Sequence, residues 1–553
     1  MATITELSDE YVVRLAAASP LTATYIGVPG HDDRLDDLSP DGLAERGTLA
    51  ADTLQAVRST AAEGGAEEIA KAVIAERLAI RLETYEAGFD HANLNVIASP
   101  VQDLRLAFDL MPLDTEDDWA TITRRMAAVP DALSGYRTSL LAGAQGGVAP
   151  AVRQVVQCAI QAATYGGARD QDGYFAGIAA RHHADGALGR ELAAAAEVAD
   201  GAYVDLADFL LSELKPLAPV EDAVGEDRYR IALRDFTGAE LDLVDCYQWG
   251  WQEFLEIEAE LHSVAAQIAG SPAAAADALD RETRYLVSGR GELQGWIQHT
   301  SDAAVEALGG TEFDMPDEIR RLECLIAPPG GSLGAYYTGP SADLSRPGRM
   351  WWSVAPDRVE FSTWREKSVV YHEGVPGHHL QIATQVWQRD RLNDYQRLLA
   401  GTSGHAEGWA LYAERLMQEL GYLDDPGDLL GMLNEELFRA ARVLLDIGMH
   451  LQLPIPAGTG FHEGQRWTGA LGLEFLLSRT LTEPGLAKDE IDRYLGWPGQ
   501  APSYKLGERV WLQARAAAKA RHGHAFDQKA FHTAALQMGG MGLDPLRELL
   551  DGF

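Results

Sequence analysis

The chain has 553 residues, and its 83 acidic and 46 basic residues give a formal net charge of −37. The average field of such a chain repels phosphate backbones, so a nucleic-acid partner is not expected. Hydrophobic residues make up 46% and charged residues 23%, which is typical of a folded globular protein. Neither a membrane-spanning apolar run nor a basic, apolar leader is evident, so we expect no membrane partner and predict a cytoplasmic location.

The first part of the chain is predicted to be helical. Alanine, leucine, glutamate and arginine recur in helical spacing in EEIAKAVIAERLAIRLETYEAGF and in ELAAAAEVADGAYVDLADFLLSEL. The composition changes at KPLAPVEDAVGE, where two prolines and several acids indicate a connector. We therefore predict an N-terminal helical region over residues 1–214 and a second region over residues 215–553.

A small sheet is predicted between Arg320 and Phe361. The runs RLECLIAPPG, AYYTGPSADLSRPG, RMWWSVAP and DRVEF are short and β-like, and turn residues separate them. The rest of the second region returns to helical patterns, so this sheet should lie directly before the histidine-rich segment that follows it.

That segment, HEGVPGHH, begins at His372 and contains the groups of a zinc site. Imidazole and carboxylate are the usual zinc ligands without thiolates, and a catalytic ion takes three protein ligands. A zinc-peptidase helix normally reads H-E-x-x-H, but the residue four after His372 is Pro376. On a regular helix neither later histidine could share an ion with His372. Because proline and glycine disturb a helix, we predict a bulge that absorbs two extra residues. This bulge would make His378 the second ligand, with His379 as the alternative.

Glutamates complete the predicted centre. Glu373 directly follows the first histidine and would stand over the open coordination position as a general base. Glu407, in GHAEGWALYAERL, precedes a clear apolar face and is the leading candidate for the third ligand. Glu414 falls on the same helix face and could hold a ligating imidazole in place.

Two further residues are candidates for catalysis. Tyrosine commonly donates a hydrogen bond to an oxyanion, and Tyr504 follows a proline-glycine loop and begins a helix. A core or surface tyrosine is the alternative for this residue. His450 could line the site, although a histidine at a helix end is more often a cap or a core group.

Substrate binding has three candidates. Arg442 lies in an apolar helical stretch, so it should either pair with Asp446 or bind a substrate carboxylate. Arg346, in the turn SRPGRM, either fixes that turn or reaches the substrate. Tyr337, which precedes the same turn, is the third candidate.

HEGVPGHHLQ, EGWALYAE, RPG and PGQAPSYKLG together resemble the bacterial family known as domain of unknown function 885, and the first two also resemble the gluzincin zinc peptidases. The resemblance implies a mainly α fold, with a large helical body around a deep cleft and a small β-sheet next to the metal-binding helix. It implies one zinc ion per chain, held by His372, His378 and Glu407, with Glu373 as the base. Gluzincin-like enzymes bind extended substrate against a sheet edge, and MWWSV is the candidate for that edge. The alternative is that Trp351 and Trp352 simply cover the core.

These inferences predict a zinc-dependent hydrolase of peptide (amide) bonds in short substrates, with its catalytic region over residues 215–553. A zinc amidohydrolase acting on a small amino-acid conjugate in specialised metabolism is one alternative. A metal-free helical binding protein is another, which the proline and the long histidine spacing favour. The sequence leaves the substrate, the native metal, endo- or exo-cleavage and the oligomeric state open.

Overall fold

The computed structural model describes residues 2–167, 172–182, 186–327, 334–355 and 357–552. The chain forms two compact units, of which the first comprises Met1–Ile231 and Asp489–Pro498. The second comprises Ala232–Lys488 and Gly499–Phe553. The connector predicted at residues 215–226 thus lies just before the point where the chain first leaves unit 1. The later return of a ten-residue segment to unit 1 has no counterpart in the predicted regions.

The first unit is built from helices. Several begin at a serine or threonine whose side chain caps the first turn, as Thr3 and Thr115 do. Their apolar faces meet in a hydrophobic core that extends from Leu21 to Leu214. In chain order the helices are α1 (Ile4–Ala18), α2 (Pro20–Ile26), α3 (Pro40–Ser59), α4 (Gly65–Glu86), α5 (Pro100–Asp109), α6 (Glu116–Ala127), α7 (Val129–Gln145), α8 (Val152–Tyr165), α9 (Tyr174–Ala179), α10 (Ala187–Phe209) and α11 (Glu226–Thr237), within which the first unit gives way to the second.

The second unit carries all the residues predicted to form the site. Among the described residues of either unit, no helix is long and apolar enough to cross a membrane. The remaining helices are α12 (Leu243–Ile268), α13 (Pro272–Leu279), α14 (Arg290–Leu308), α15 (Thr363–Glu373), α16 (His378–Trp387), α17 (Asp394–Leu398), α18 (Ser403–Glu419), α19 (Pro426–Leu451), α20 (Gly469–Arg479), α21 (Pro484–Gly496), α22 (Ser503–His522), α23 (Gln528–Gln537) and α24 (Leu543–Leu550). Of these, α21 belongs to the first unit from Asp489 onward.

The described residues of the second unit include two small sheets. Their strands are β1 (Leu286–Ser288), β2 (Leu322–Ile326), β3 (Gly334–Thr338), β4 (Gly348–Ser353) and β5 (Glu360–Ser362). Strand β1 pairs antiparallel with β5, and the larger sheet has the order β2-β4-β3. Within it, β4 runs parallel to β2 and antiparallel to β3. The predicted mainly α fold with a small sheet is confirmed.

The sheets lie beside α15. Strand β5 leads directly into this helix. Met350 of β4 and Val370 of α15 belong to one hydrophobic cluster, which also contains Leu293 of α14. The sheet is therefore next to the predicted metal-binding helix.

The prediction that MWWSV forms a sheet edge was wrong. The first four residues of this segment lie in β4, which has a hydrogen-bonded strand on each side. Its aromatic side chains suit a central strand: Trp351 stacks on Tyr336 of β3, with ring centroids 6.1 Å apart, and Trp352 is buried.

Candidate metal centre

The histidine segment forms a break between two helices. Helix α15 ends at Glu373 and α16 begins at His378. The predicted bulge within one helix was therefore wrong, because the chain turns and starts a new helix. Pro376 has no backbone N–H to continue the helical ladder, and the N–H of Gly377 donates to the Tyr371 carbonyl oxygen at 3.0 Å.

This turn is packed tightly against its neighbours. A Cβ atom on Gly377 would lie 1.9 Å from the carbonyl oxygen of His372, so only glycine fits. The indole N–H of Trp409, in α18, donates to the Pro376 carbonyl oxygen at 2.9 Å. As a result His378 lies back beside His372, with the ring centroids 4.8 Å apart and the ring planes at 84°.

Glu407 of α18 meets both of these histidines. Its Oε2 lies 3.3 Å from Nε2 of His372 and 3.4 Å from Nε2 of His378. Among the described residues, these three side chains form a group whose ligand atoms all lie within 4.8 Å of one another. Zinc bonds of about 2.0–2.1 Å at tetrahedral angles separate neighbouring ligand atoms by about 3.3 Å. The two separations from Glu407 match this value, and all three ligand atoms lie within 4.8 Å of one another.

His379, the alternative ligand, is engaged elsewhere. Its Nε2 donates to the carbonyl oxygen of Ile319 at 2.8 Å. Its Nδ1 is then the unprotonated nitrogen and accepts from the Tyr337 hydroxyl at 2.9 Å. Of the two later histidines, His378 is the one that the structure brings to His372. The hydroxyl of Tyr337, a predicted substrate contact, is bound within the protein.

Glu414 holds the first histidine in place. Nδ1 of His372 donates to its Oε1 at 2.8 Å, and the Ser368 hydroxyl donates to the other carboxylate oxygen. The Glu414 side chain is completely buried. A carboxylate behind a histidine fixes the ring and leaves Nε2 for a metal. Sequence reasoning missed Ser368, although its place one helical turn before His372 is a usable signal.

We expect the Glu414→Gln variant to bind zinc about 10–100-fold more weakly than the parent chain, because the ligand histidine loses its charged partner. The measurement is competition for zinc with a chromogenic chelator. Glu419→Gln is the matched control, since Glu419 lies on the same helix but pairs with Arg515. Equal zinc affinity in parent and Glu414→Gln would contradict the role assigned to Glu414.

The carboxylates of the group stabilise positive charge on His372. Burial lowers the pKa of His372, but its hydrogen bonds to Glu407 and Glu414 outweigh burial and raise it to about 10. Burial also disfavours the charge of Glu407, yet the charges of His378 and His372 hold the pKa of this carboxyl well below its usual range. At neutral pH the metal-free chain thus has a protonated imidazole beside an ionised carboxylate.

This raised pKa predicts a pH-dependent metal affinity. Ligation requires a neutral His372, so an incoming ion must displace a proton at any pH below about 10. The apparent association constant for zinc should therefore rise about tenfold per pH unit between roughly pH 6.5 and 8.5. Titration against a chelator of known pH dependence measures this slope. An affinity that stays constant over the range would contradict the raised pKa of His372.

Glu373 lies next to the three candidate ligands His372, His378 and Glu407 but is not one of them. Its side chain is buried, and burial raises its pKa against the opposing charges of His378 and His372. The charges of both imidazoles therefore act on the Glu373 carboxylate. A carboxylate with a raised pKa takes up a proton more readily than a free carboxylate, as a general base must when it accepts one from water.

The first turn of α22 lies along the turn of α18 that carries Glu407. A Cβ atom on Gly408 would come within 2.4 Å of the Gly507 backbone, so the two helices approach closely here. Tyr504 is in this first turn and is half-buried. Its ring contacts Arg442, whose Cζ lies 4.6 Å from the ring centroid. The structure thus places Tyr504 on the helix next to the one that supplies Glu407.

The remaining candidates make contacts within the protein. Arg346 donates to the carbonyl oxygens of Gly339 at 2.8 Å and Pro347 at 3.2 Å, and these bonds fix the turn before β4. His450 is completely buried, and its Nε2 lies 4.0 Å from Oδ1 of Asp446 on the same helix. Both sets of contacts are typical of structural residues, and the catalytic role of His450 stays a prediction.

The fold and these motifs define the family. The chain belongs to the family described as bacterial protein of unknown function (DUF885), whose model matches residues 20–550. The predicted family is confirmed, and the match extends far beyond the motif-bearing part of the chain. No curated protein matches the chain.

Two solved structures share the fold over the full length. A "putative lipoprotein" from Colwellia psychrerythraea is 22% identical, with a TM-score of 0.86 and coverage of 99% of this chain and 98% of that one. A "putative lipoprotein of unknown function" from Shewanella oneidensis is 16% identical, with a TM-score of 0.75 and complete coverage of both chains. At these identities the similarity concerns the fold alone.

Proposed function

We propose that this protein is a zinc-dependent hydrolase of amide bonds in short substrates, related in its site to the gluzincin peptidases. The observation that carries the proposal is the convergence of His372, His378 and Glu407, with Glu373 beside them. Structural zinc sites use four protein ligands, whereas catalytic sites use three and leave one position open. Three ligands and an adjacent carboxylate correspond to the catalytic arrangement.

Each residue has a role in this scheme. An ion held by His372, His378 and Glu407 would act as a Lewis acid that polarises the substrate carbonyl group and activates water. The carboxylate of Glu373 accepts a proton from the attacking water and returns it to the leaving amine. Tyr504 is the candidate hydrogen-bond donor to the oxygen that becomes negative during attack. Glu414 keeps the ring of His372 in the ligating orientation.

The helix break weakens the main argument for a metal-free binding protein. That argument was the long spacing between the histidines, with Pro376 between them. The turn brings the rings of His372 and His378 together, so the spacing is compatible with a shared ion. A small amino-acid conjugate as substrate would use the same residues, so the proposal covers it as a variant of the same chemistry.

The test is a hydrolysis assay on chelated and zinc-reloaded protein. The substrates are a mixture of peptides of two to six residues together with N-acyl amino acids, and products are detected by mass spectrometry. We expect cleavage that disappears on chelation and returns with one equivalent of zinc. Zinc-loaded protein that cleaves none of these amides would contradict the proposal.

A further inference from the structure

We propose that a buried cluster of charged side chains around Lys505 holds one proton on Glu508, and that this proton makes the seating of the first two turns of α22 depend on pH. The cluster lies in the second unit and contains none of the three candidate metal ligands. The inference stands without the proposed function. Only its consequence for Tyr504, which directly precedes Lys505, rests on that proposal.

Lys505 is the centre of the cluster. Its side chain is buried, and its Nζ contacts three carboxylates. Two of them come from other helices: Glu436 of α19 at 2.6 Å and Glu253 of α12 at 3.0 Å. The third belongs to Glu508, one turn further along α22. An ammonium group has three N–H donors, so the three carboxylates account for all of them.

Arg415 of α18 is the second cation of the cluster. Its Nε lies 3.7 Å from Oε2 of Glu436, and its Nη1 lies 3.3 Å from Oε2 of Glu260 on α12. Arg439 of α19 also acts on Glu436, but its Nη1 is paired with Glu435 at 2.5 Å. The cluster thus contains two cations and four carboxylates, which are Lys505, Arg415, Glu253, Glu260, Glu436 and Glu508.

Burial makes this excess of carboxylates costly. Glu436 and Glu508 are 0% and 2% exposed, whereas the side chains of Glu253 and Glu260 are 24% and 38% exposed and keep contact with water. Two buried carboxylates that share a site disfavour each other's charge. Oε1 of Glu436 is also buried, and no described residue donates a hydrogen bond to it. The cluster is therefore short of both positive charge and donors, and one proton supplies both.

The contacts indicate Glu508 as the carboxyl group that holds the proton. Glu436 faces both Lys505 and Arg415, whereas Glu508 contacts Lys505, which it shares with two other carboxylates. Burial and the charge of Glu436 raise the pKa of Glu508 to about 7. Burial also disfavours the charge of Glu436, yet the charges of Lys505 and Arg415 lower the pKa of this carboxyl. Glu436 therefore stays ionised while Glu508 takes up the proton.

The sign of the pH dependence follows from this raised pKa. A glutamate that is exposed to water has a pKa of about 4.3, so the folded contact binds the proton more tightly than the opened helix does. The stabilisation is complete below about pH 4.5 and is lost as the pH rises to about 7. The first two turns of α22 should therefore open more readily at pH 8 than at pH 5.5.

The experiment measures local opening of this part of α22. Hydrogen–deuterium exchange with mass spectrometry is carried out at pH 5.5 and pH 8 on the chelator-treated full chain, and the rates are corrected for the intrinsic pH dependence of exchange. In the parent we expect the opening equilibrium constant of residues 503–510 to be about tenfold larger, or more, at pH 8. Glu508→Gln should have the same opening constant at both pH values, because its amide is neutral at both and still accepts from Lys505.

Glu419→Gln is the matched control, because Glu419 of α18 also pairs with a cation of α22, Arg515 at 2.7 Å, but its side chain is 49% exposed. This variant should keep the pH dependence of the parent. Equal opening constants at the two pH values in the parent, or an unchanged pH dependence in Glu508→Gln, would overturn the inference. The parent comparison needs no variant, so it decides the matter even where Glu508→Gln does not fold. Zinc and substrate are absent throughout, so the outcome is independent of the proposed function.

Discussion

The Glu373→Gln variant is expected to keep its full complement of zinc while losing about 10²–10⁴-fold in kcat/KM. Glutamine has nearly the same shape as glutamate but cannot take up a proton from water. Glu373 is not among the three converging ligands, so its replacement should leave the ion in place. Steady-state kinetics on the best substrate from the peptide mixture, together with elemental analysis, measure the two quantities separately.

Glu366→Gln is the control for this substitution. Glu366 lies on the same helix and accepts a hydrogen bond from the Trp352 indole, which the glutamine oxygen can still accept. This variant should retain zinc and activity. Loss of zinc in Glu373→Gln would identify Glu373 as a ligand, and full activity in that variant would show that the base is another group.

The second large effect is expected from Gly377→Ala. The new Cβ would lie 1.9 Å from the carbonyl oxygen of His372 and 2.5 Å from that of Tyr371, and backbone atoms cannot move aside as a flexible side chain can. We expect the free energy of unfolding to fall by about 3 kcal/mol. Zinc binding should fall with it, because relief of the clash displaces His378 from His372.

Urea unfolding and zinc titration of the Gly377→Ala variant measure these losses. Gly401→Ala is the control, since a Cβ atom there meets nothing within 4 Å and the backbone is not in the left-handed region. Its stability should stay within about 0.5 kcal/mol of the parent. Similar behaviour of the two variants would contradict the claim that the tight turn positions the second histidine.

Most residues of the candidate metal centre could be predicted because short sequence patterns mark them. Glu373 follows His372 directly, and helical spacing places Glu414 two turns after Glu407 on one face of α18. The choice of His378 followed from the smaller insertion that it required. In the structure His378 is also the histidine beside His372. A helix break brings it there in place of the predicted bulge, because proline and glycine together end α15.

Features that depend on distant parts of the chain were not predictable in the same way. The place of β4 in the centre of its sheet is set by which strands pair with it, and no local pattern records that choice. The return of Asp489–Pro498 to the first unit is likewise a long-range contact within an ordinary helical sequence.

Metal content tests the central claim most directly. Elemental analysis is carried out on protein supplied with zinc and then desalted, for the parent chain and for the variants His378→Ala, Glu407→Ala and His379→Gln. The account predicts about one zinc ion per chain in the parent and in His379→Gln, and none in the other two. A parent chain without zinc, or a His378→Ala variant that keeps it, would contradict the assignment of His372, His378 and Glu407 as the metal centre.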